Sequence, residues 1–180
     1  MTELQPDVSG PGVCGQIPPR GTIYMDSIDT PIGPLTFAAD DAAVRKLDLL
    51  GQPIAGAAAG GNDLTRRLRE EIAAYFAGEL REFTAPTAPA GTEFQRRVWS
   101  LLSTIPFGAT WTYRDLAIAA GDRNATRAVG AANGRNPIPL VIPCHRVIAT
   151  GGGLGGFGGG LEMKERLLRH EGVTRPAVYI

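Results

Sequence analysis

Nine residues, 140–148, reading Leu-Val-Ile-Pro-Cys-His-Arg-Val-Ile, constrain this chain more than any other stretch. Three apolar residues, two of them β-branched, predict a short buried strand over 140–142. Pro143 offers no N–H to a ladder and stops it. Cys144 and His145 follow in a bend before Val147 and Ile148 resume an extended apolar course. A thiol at the end of a buried strand, beside one of only two histidines, is placed as a nucleophile needs. The thiolate is the reactive form, and a neighbouring base or cation raises its population. The pair alone equally fits a structural cysteine that happens to adjoin a histidine.

A chain of 180 residues buries a real core as one domain or two small lobes. No apolar run approaches the ~20 residues needed to span a bilayer. No basic segment followed by an apolar block marks a signal peptide. Two cysteines make no disulfide framework. The expected compartment is the cytosol. Formal charge is zero, but unevenly spread: residues 1–90 hold 7 basic and 12 acidic side chains, residues 91–180 hold 11 and 6. The second half is therefore basic, almost wholly through arginine, which suits phosphate contact.

Residues 1–21 are rich in proline and glycine, contain Cys14 and read as a disordered leader. Segments 23–28, 35–39 and 44–50 alternate with turn residues and predict a small antiparallel sheet. Residues 51–61 read as a loose Ala/Gly linker. Asp63 is the expected cap of a helix reaching residue 76 or 77, with Leu64, Leu68, Ile72, Tyr75 and Phe76 on its buried face and Gly78 as stop. Residues 83–90 connect to a second lobe. The resulting division is a leader (1–21), an antiparallel-sheet lobe with its linker (22–90) and a mostly helical lobe (91–180).

Thr92 and Gln95 form a capping box for a helix through about residue 104, whose stripe is Phe94, Val98, Trp99 and Leu102. Thr112 caps a short helix over 113–119. Asn124 caps another over 125–133, closed by Gly134. Helix, glycine turn, helix is the outline of a helix-turn-helix, in a winged-helix-like lobe. Arg127 shares its face with Gly130, Ala131 and Gly134. Such a face fits either tight packing on a neighbouring helix or close approach to a minor groove. Residues 151–160 include eight glycines, broken only by Leu154 and Phe157. No Gly-Lys-Ser/Thr ending follows, so a phosphate-binding P-loop is excluded. Both a flexible linker and a backbone wall beside a flat ligand remain open. A last helix over 161–170 buries Leu161, Leu167 and Leu168. Glu171 then faces the negative end of the helix dipole, which calls for compensation. An imidazole is one candidate.

Asn136-Pro137, Pro143-Cys144-His145-Arg146-Val147, Phe94-Gln95, Val98-Trp99, Ile105-Pro106-Phe107-Gly108, Thr112-Tyr113, Arg127-Ala128-Val129-Gly130, Gly159-Gly160-Leu161 and His170-Glu171-Gly172 occur in order. Together they closely resemble the O6-alkylguanine-DNA alkyltransferase (methylated-DNA–protein-cysteine methyltransferase) family. The likeness is strong over 92–172 and looser over 22–80. It implies an α+β protein that repairs O6-alkylguanine by accepting the alkyl group on Cys144, once per molecule. O4-alkylthymine is a second substrate it leaves open. His145 acts as base through a water, oriented by Glu171, and Asn136 braces the turn into the active-site segment. The resemblance places Tyr113, Arg127, Ala128, Gly130, Ala131 and Arg135 at double-stranded DNA, approached through the minor groove. Tyr113 turns the target nucleotide out and Arg127 fills the gap. The carbonyls of Cys144 and Val147 accept from the guanine amino group. The Gly158 N–H polarises O6, beside Phe157, where relatives often carry tyrosine. No cofactor and no metal are implied, since the first lobe has only Cys14 and no histidine. The expected state is a monomer, with cooperation along DNA left open. The rivals are a non-catalytic helix-turn-helix binder of alkylated DNA and, more distantly, a Cys-His hydrolase. The hydrolase lacks a glycine-flanked nucleophile elbow.

Overall fold

The computed structural model describes residues 19–174. Strands β1 (Tyr24–Thr30), β2 (Gly33–Ala39) and β3 (Val44–Asp48) form an antiparallel meander with β2 between the others. The β1–β2 register runs from Tyr24 opposite Ala39 to Thr30 opposite Gly33. The turn closes there, with the Thr30 hydroxyl donating to the Gly33 carbonyl at 2.6 Å. Strand β2 supplies the floor of the core, because Leu35, Phe37, Ala38 and Ala39 have no exposed surface. The sheet is not purely antiparallel as expected. Within the supposed linker, β4 (Ala58–Ala59) pairs parallel with β1 at Tyr24 and Met25. A two-residue strand with no side chain beyond alanine gives too little alternation to be read from sequence.

Helix α1 (Asp63–Phe76) lies on the sheet through Thr65, Leu68, Ile72 and Tyr75, while Leu64 is only half-buried. Its cap is Asn62, not Asp63. The Asn62 amide oxygen accepts from the Thr65 N–H at 2.9 Å, and the Thr65 hydroxyl accepts from the Asn62 N–H at 2.8 Å. Asp63 falls instead in the first turn, where its charge suits the dipole. Residues 1–18, including Cys14, lie outside the described residues, so the expected leader is left there. Arg20 is already tied down, its N–H donating to Asp40 at 2.9 Å. The 83–90 connection is held to β3, where the Val44 N–H donates to the Pro86 carbonyl at 2.8 Å.

The second half begins with α2 (Glu93–Leu102), capped by Thr92 and Gln95 as expected. Its buried stripe is Val98, Trp99 and Leu102, continued by Ile105. Phe94 is 40% exposed and does not belong to it. Strand β5 (Trp111–Thr112) leads into α3 (Tyr113–Ala119), which the Thr112–Asp115 box caps. The next helix, α4 (Thr126–Gly134), starts after Ala125 with no side-chain cap. Asn124 does not cap it, because Asp122 forms the turn by accepting from the Asn124 N–H at 2.8 Å. Helices α3 and α4 form the expected helix-turn-helix. Helix α2 packs on α4, with the Trp99 indole N–H donating to the Ala132 carbonyl at 2.8 Å.

No strand forms at 140–142. Those residues make a tight turn in which the Ile142 N–H donates to the Ile138 carbonyl at 2.9 Å. Leu140 sits there at φ 74°, unusual for a residue with a Cβ. Prolines at 139 and 143 bracket the segment and remove two ladder donors, so apolar content alone misleads. One 3₁₀ turn, Cys144–Arg146, follows, and then β6 (Val147–Ile148) pairs parallel with β5. Helix α5 (Leu161–His170) buries Leu167, Leu168 and, against expectation, Lys164, while Leu161 is only half-buried. A single apolar core runs from the sheet through α2, α3 and α4 to Leu167. No helix among the described residues is long and apolar enough to cross a membrane.

Candidate active site

Glu171 follows α5 as its C-cap, and Gly172 at φ 80° turns the chain away, which throws the carboxylate inward. It is 4% exposed. Its Oε1 accepts from the Tyr75 hydroxyl at 2.8 Å, His145 Nε2 at 2.9 Å and an Arg146 Nη2 at 2.9 Å. Its Oε2 accepts from Arg146 Nε at 2.9 Å and the Gly108 N–H at 3.1 Å. Burial alone would push this carboxyl upward, but the bonds and charges of His145 and Arg146 outweigh it and hold it well below the usual range. The compensation expected from an imidazole is thus shared with a guanidinium, a phenol and a backbone N–H. Arg146 also donates to the Ile105 carbonyl at 2.6 Å. These partners come from α1, the 105–108 turn and the 3₁₀ turn, so one carboxylate knits the two halves together.

Glu171 fixes the imidazole. With the carboxylate ionised, His145 Nε2 carries the proton it donates, and Nδ1 is left with a lone pair. That Nδ1 is buried and has no partner among the described residues. Burial pushes the imidazole pKa down, against the pull of Glu171, so the ring is neutral at neutral pH and able to accept a proton.

Cys144, one residue earlier, is 4% exposed. Burial pushes its thiol up to about 11, against the Asn136 hydrogen bond and the Lys164 charge. The protonated thiol is thus the resting state. A base must therefore take the proton as the sulfur reacts. Asn136 holds the preceding turn, its Nδ2 donating to the Ile142 carbonyl at 2.8 Å and its Oδ1 accepting from the Ile138 N–H at 3.0 Å.

The thiol lines a small cleft. One wall is the end of α4 and the following loop, with Asn133, Gly134, Asn136 and Pro139. The other is the glycine loop, with Gly156, Phe157 and Gly158. That loop is a wall, not a linker. Lys164 anchors it, its ammonium donating to the carbonyls of Val147 (2.5 Å), Leu154 and Gly156 (3.4 Å). Burial pushes this lysine down to about 8. Its position three residues into α5 places it opposite the loop that the helix follows.

Tyr113 spans the mouth. A Cβ on Gly130 would lie 3.6 Å from its ring, and one on Gly155 only 2.8 Å. Only glycine at 155, held at φ 67°, lets the loop approach that closely. The Tyr113 hydroxyl donates to the Gly156 carbonyl at 3.5 Å, and burial followed by the Cys144 charge pushes its pKa up.

Arg127, Ala128, Ala131, Gly134 and Arg135 are exposed along α4, and Gly130 is half-buried against Tyr113. The inward face is Val129, Ala132 and Asn133. The small-residue face is therefore not the packing face. The structure brings Cys144, Phe157, Gly158 and Asn136 around one cleft, with Tyr113 at its mouth. His145, Glu171 and Val147 lie directly behind the thiol turn. Sequence reasoning missed Arg146, Tyr75, Lys164 and Asn133 as members. Arg146 directly after Cys-His and a lone lysine in a basic, arginine-rich half were the available signals.

Fold and site define a two-part α+β protein with a helix-turn-helix set beside a buried, histidine-backed thiol. Residues 93–173 match the family described as 6-O-methylguanine DNA methyltransferase, DNA binding domain, and residues 23–89 its ribonuclease-like domain. A methylated-DNA–protein-cysteine methyltransferase of Mycolicibacterium paratuberculosis is 46% identical over 158 residues, 86% of this chain and 96% of the relative. The structure of a Mycobacterium tuberculosis O6-methylguanine methyltransferase superposes with TM-score 0.77 at 41% identity, covering 86% of this chain and 94% of that one. That organism's OGT in complex with DNA gives TM-score 0.78 at 42% identity, covering 86% and 96%. The chain belongs to the methylated-DNA–protein-cysteine methyltransferase family.

Proposed function

We propose that this protein repairs DNA by transferring the alkyl group of O6-alkylguanine to the sulfur of Cys144. The observation that carries this reading is a thiol lining a cleft between the end of α4 and the glycine loop, backed by a neutral imidazole with an open Nδ1 and a fixed Nε2. The S–C bond forms as the C–O6 bond breaks. The thiol proton passes through a water to His145 Nδ1, with Glu171 holding the resulting imidazolium. The departing guanine takes up a proton, so the net change is thiol plus alkylguanine to thioether plus guanine. Backbone donors of the glycine loop, Gly158 among them, polarise O6 as charge develops.

The target atom is inaccessible within a duplex, and turning the nucleotide out costs a few kcal/mol. The exposed small-residue face of α4 suits a minor groove. Arg127, projecting from it, fills the vacated stack, while Tyr113 at the cleft mouth helps rotate the nucleotide. Ala128, Ala131 and Arg135 lie along the same face. The division of labour is residues 22–90 as support, through Tyr75 and Leu49, and residues 91–180 as DNA-binding and alkyl-accepting part. A reduced, cytosolic setting suits the free thiol, and one molecule acts alone on each lesion.

A thioether is stable and no second thiol among the described residues stands by to clear it, so each molecule acts once. Titrating O6-methylguanine duplex with protein and measuring restored guanine tests this. One guanine restored per protein supports the reading, and several would contradict it. No restored guanine with tight binding retained would favour a non-catalytic binder.

A further inference from the structure

Asn133 stands in the last turn of α4, is 3% exposed and lines the cleft beside Cys144. Its amide oxygen Oδ1 is buried with no hydrogen-bond partner among the described residues. A buried polar atom without a partner is costly and uncommon, so each one asks for a reason.

The neighbours fix which way the amide faces. Tyr113 spends its single O–H on the Gly156 carbonyl. The Asn133 amide lies beside the Tyr113 oxygen and pulls that phenol's pKa down, as an N–H directed at it does. The amide oxygen is then directed away from Tyr113. The two backbone acceptors expected to read a guanine amino group each already accept one hydrogen bond and keep one lone pair. The Val147 carbonyl accepts from Lys164 at 2.5 Å, and the Cys144 carbonyl accepts from the Val147 N–H. Among the buried side-chain oxygens of the described residues, Asn133 Oδ1 is the one with no donor. Asn136, the other side-chain amide in the lining, is occupied at both ends.

We propose that Asn133 is a specificity-determining residue whose amide oxygen accepts a hydrogen bond from the 2-amino group of the guanine held in the cleft. This rests on the alkyl-transfer reading above. It adds a side-chain contact that distinguishes purines bearing an amino group from bases that lack one. An O4-alkylthymine offers no donor on its pairing edge and gains nothing from it.

The test uses the full chain and two free bases, O6-benzylguanine and O6-benzylhypoxanthine, which differ only in the 2-amino group. The second-order rate constant for alkylation of Cys144 is measured for each. Wild type should favour the guanine by about tenfold or more. Asn133→Leu should lose about tenfold on the guanine and stay within about twofold on the hypoxanthine, so the preference collapses. Normal reaction with the hypoxanthine also reports that the variant is folded. Asn133→Ala, read by the same ratio, serves if leucine is not accommodated. An unchanged ratio in both variants, or equal loss on both substrates as from a mere brace for Tyr113, overturns the inference alone. No alkylation of Cys144 by either base in wild type overturns the alkyl-transfer reading and this inference together.

Discussion

Two buried carboxylates, Asp40 and Glu171, look alike by every simple measure. Both are nearly or fully inaccessible, both are paired with an arginine, and both are held below the usual range by bonds that outweigh burial. Their partners differ. Asp40 accepts from the N–H groups of Ala42 and Ala43 and from Arg45, which closes the β2–β3 turn, and from the N–H of Arg20, which ties down the segment before β1. Glu171 gathers Tyr75, Gly108, His145 and Arg146 from across the chain, and His145 keeps one nitrogen open beside a thiol. A buried charge is therefore no sign of chemistry by itself. An unfilled valence next to it is.

The sharpest way to break this contrast is to neutralise each carboxylate. Glu171→Gln leaves Arg146 buried without its counter-charge and should cost roughly 3 kcal/mol of stability. It should also slow alkylation per folded molecule by about a hundredfold, since the imidazole loses its orientation and its stabiliser. Asp40→Asn should cost about 2 kcal/mol and leave the rate within about twofold. Chemical denaturation and single-turnover kinetics read both. Equal rate losses would erase the distinction.

Arg127 sharpens the contrast from the opposite side, as an exposed charge with a proposed task. Arg127→Ala should slow repair of duplex DNA by about tenfold and leave reaction with free O6-benzylguanine unchanged. Equal losses would contradict its role in the stack.

A smaller effect is expected from acid. Both folded carboxyl groups titrate below their unfolded values of about 3.9 and 4.3. The stability they contribute is thus complete above roughly pH 5 and is lost as pH falls through the folded pKa values. Wild type should lose about 1 kcal/mol more than either neutral variant between pH 6 and pH 3. Identical acid limbs in denaturation curves would mean that neither pair stabilises the fold.

The capping box at Thr92–Gln95, the cap at Thr112 and the three-strand meander were legible in the sequence, because each rests on local patterns, and the motifs holding Asn136, Cys144, His145 and Glu171 were legible as a group that the structure brings together. The 140–142 turn was not. Its apolar residues satisfy a strand pattern, and only the bracketing prolines and the Asn136 amide, acting across six residues, decide otherwise. Lys164 was hidden for a related reason. A lysine in an amphipathic helix reads as solvent-facing unless three carbonyls from a distant loop are known to await it. Phe94 and Leu161 failed at helix ends, where periodicity continues but the neighbour does not.

The most direct test is to locate the transferred group. After reaction with O6-methylguanine duplex, peptide mapping by tandem mass spectrometry should find one methyl group, on the sulfur of Cys144, and none in Cys144→Ala. A methyl group on any other residue, or guanine restored with Cys144 unmodified, would contradict the account.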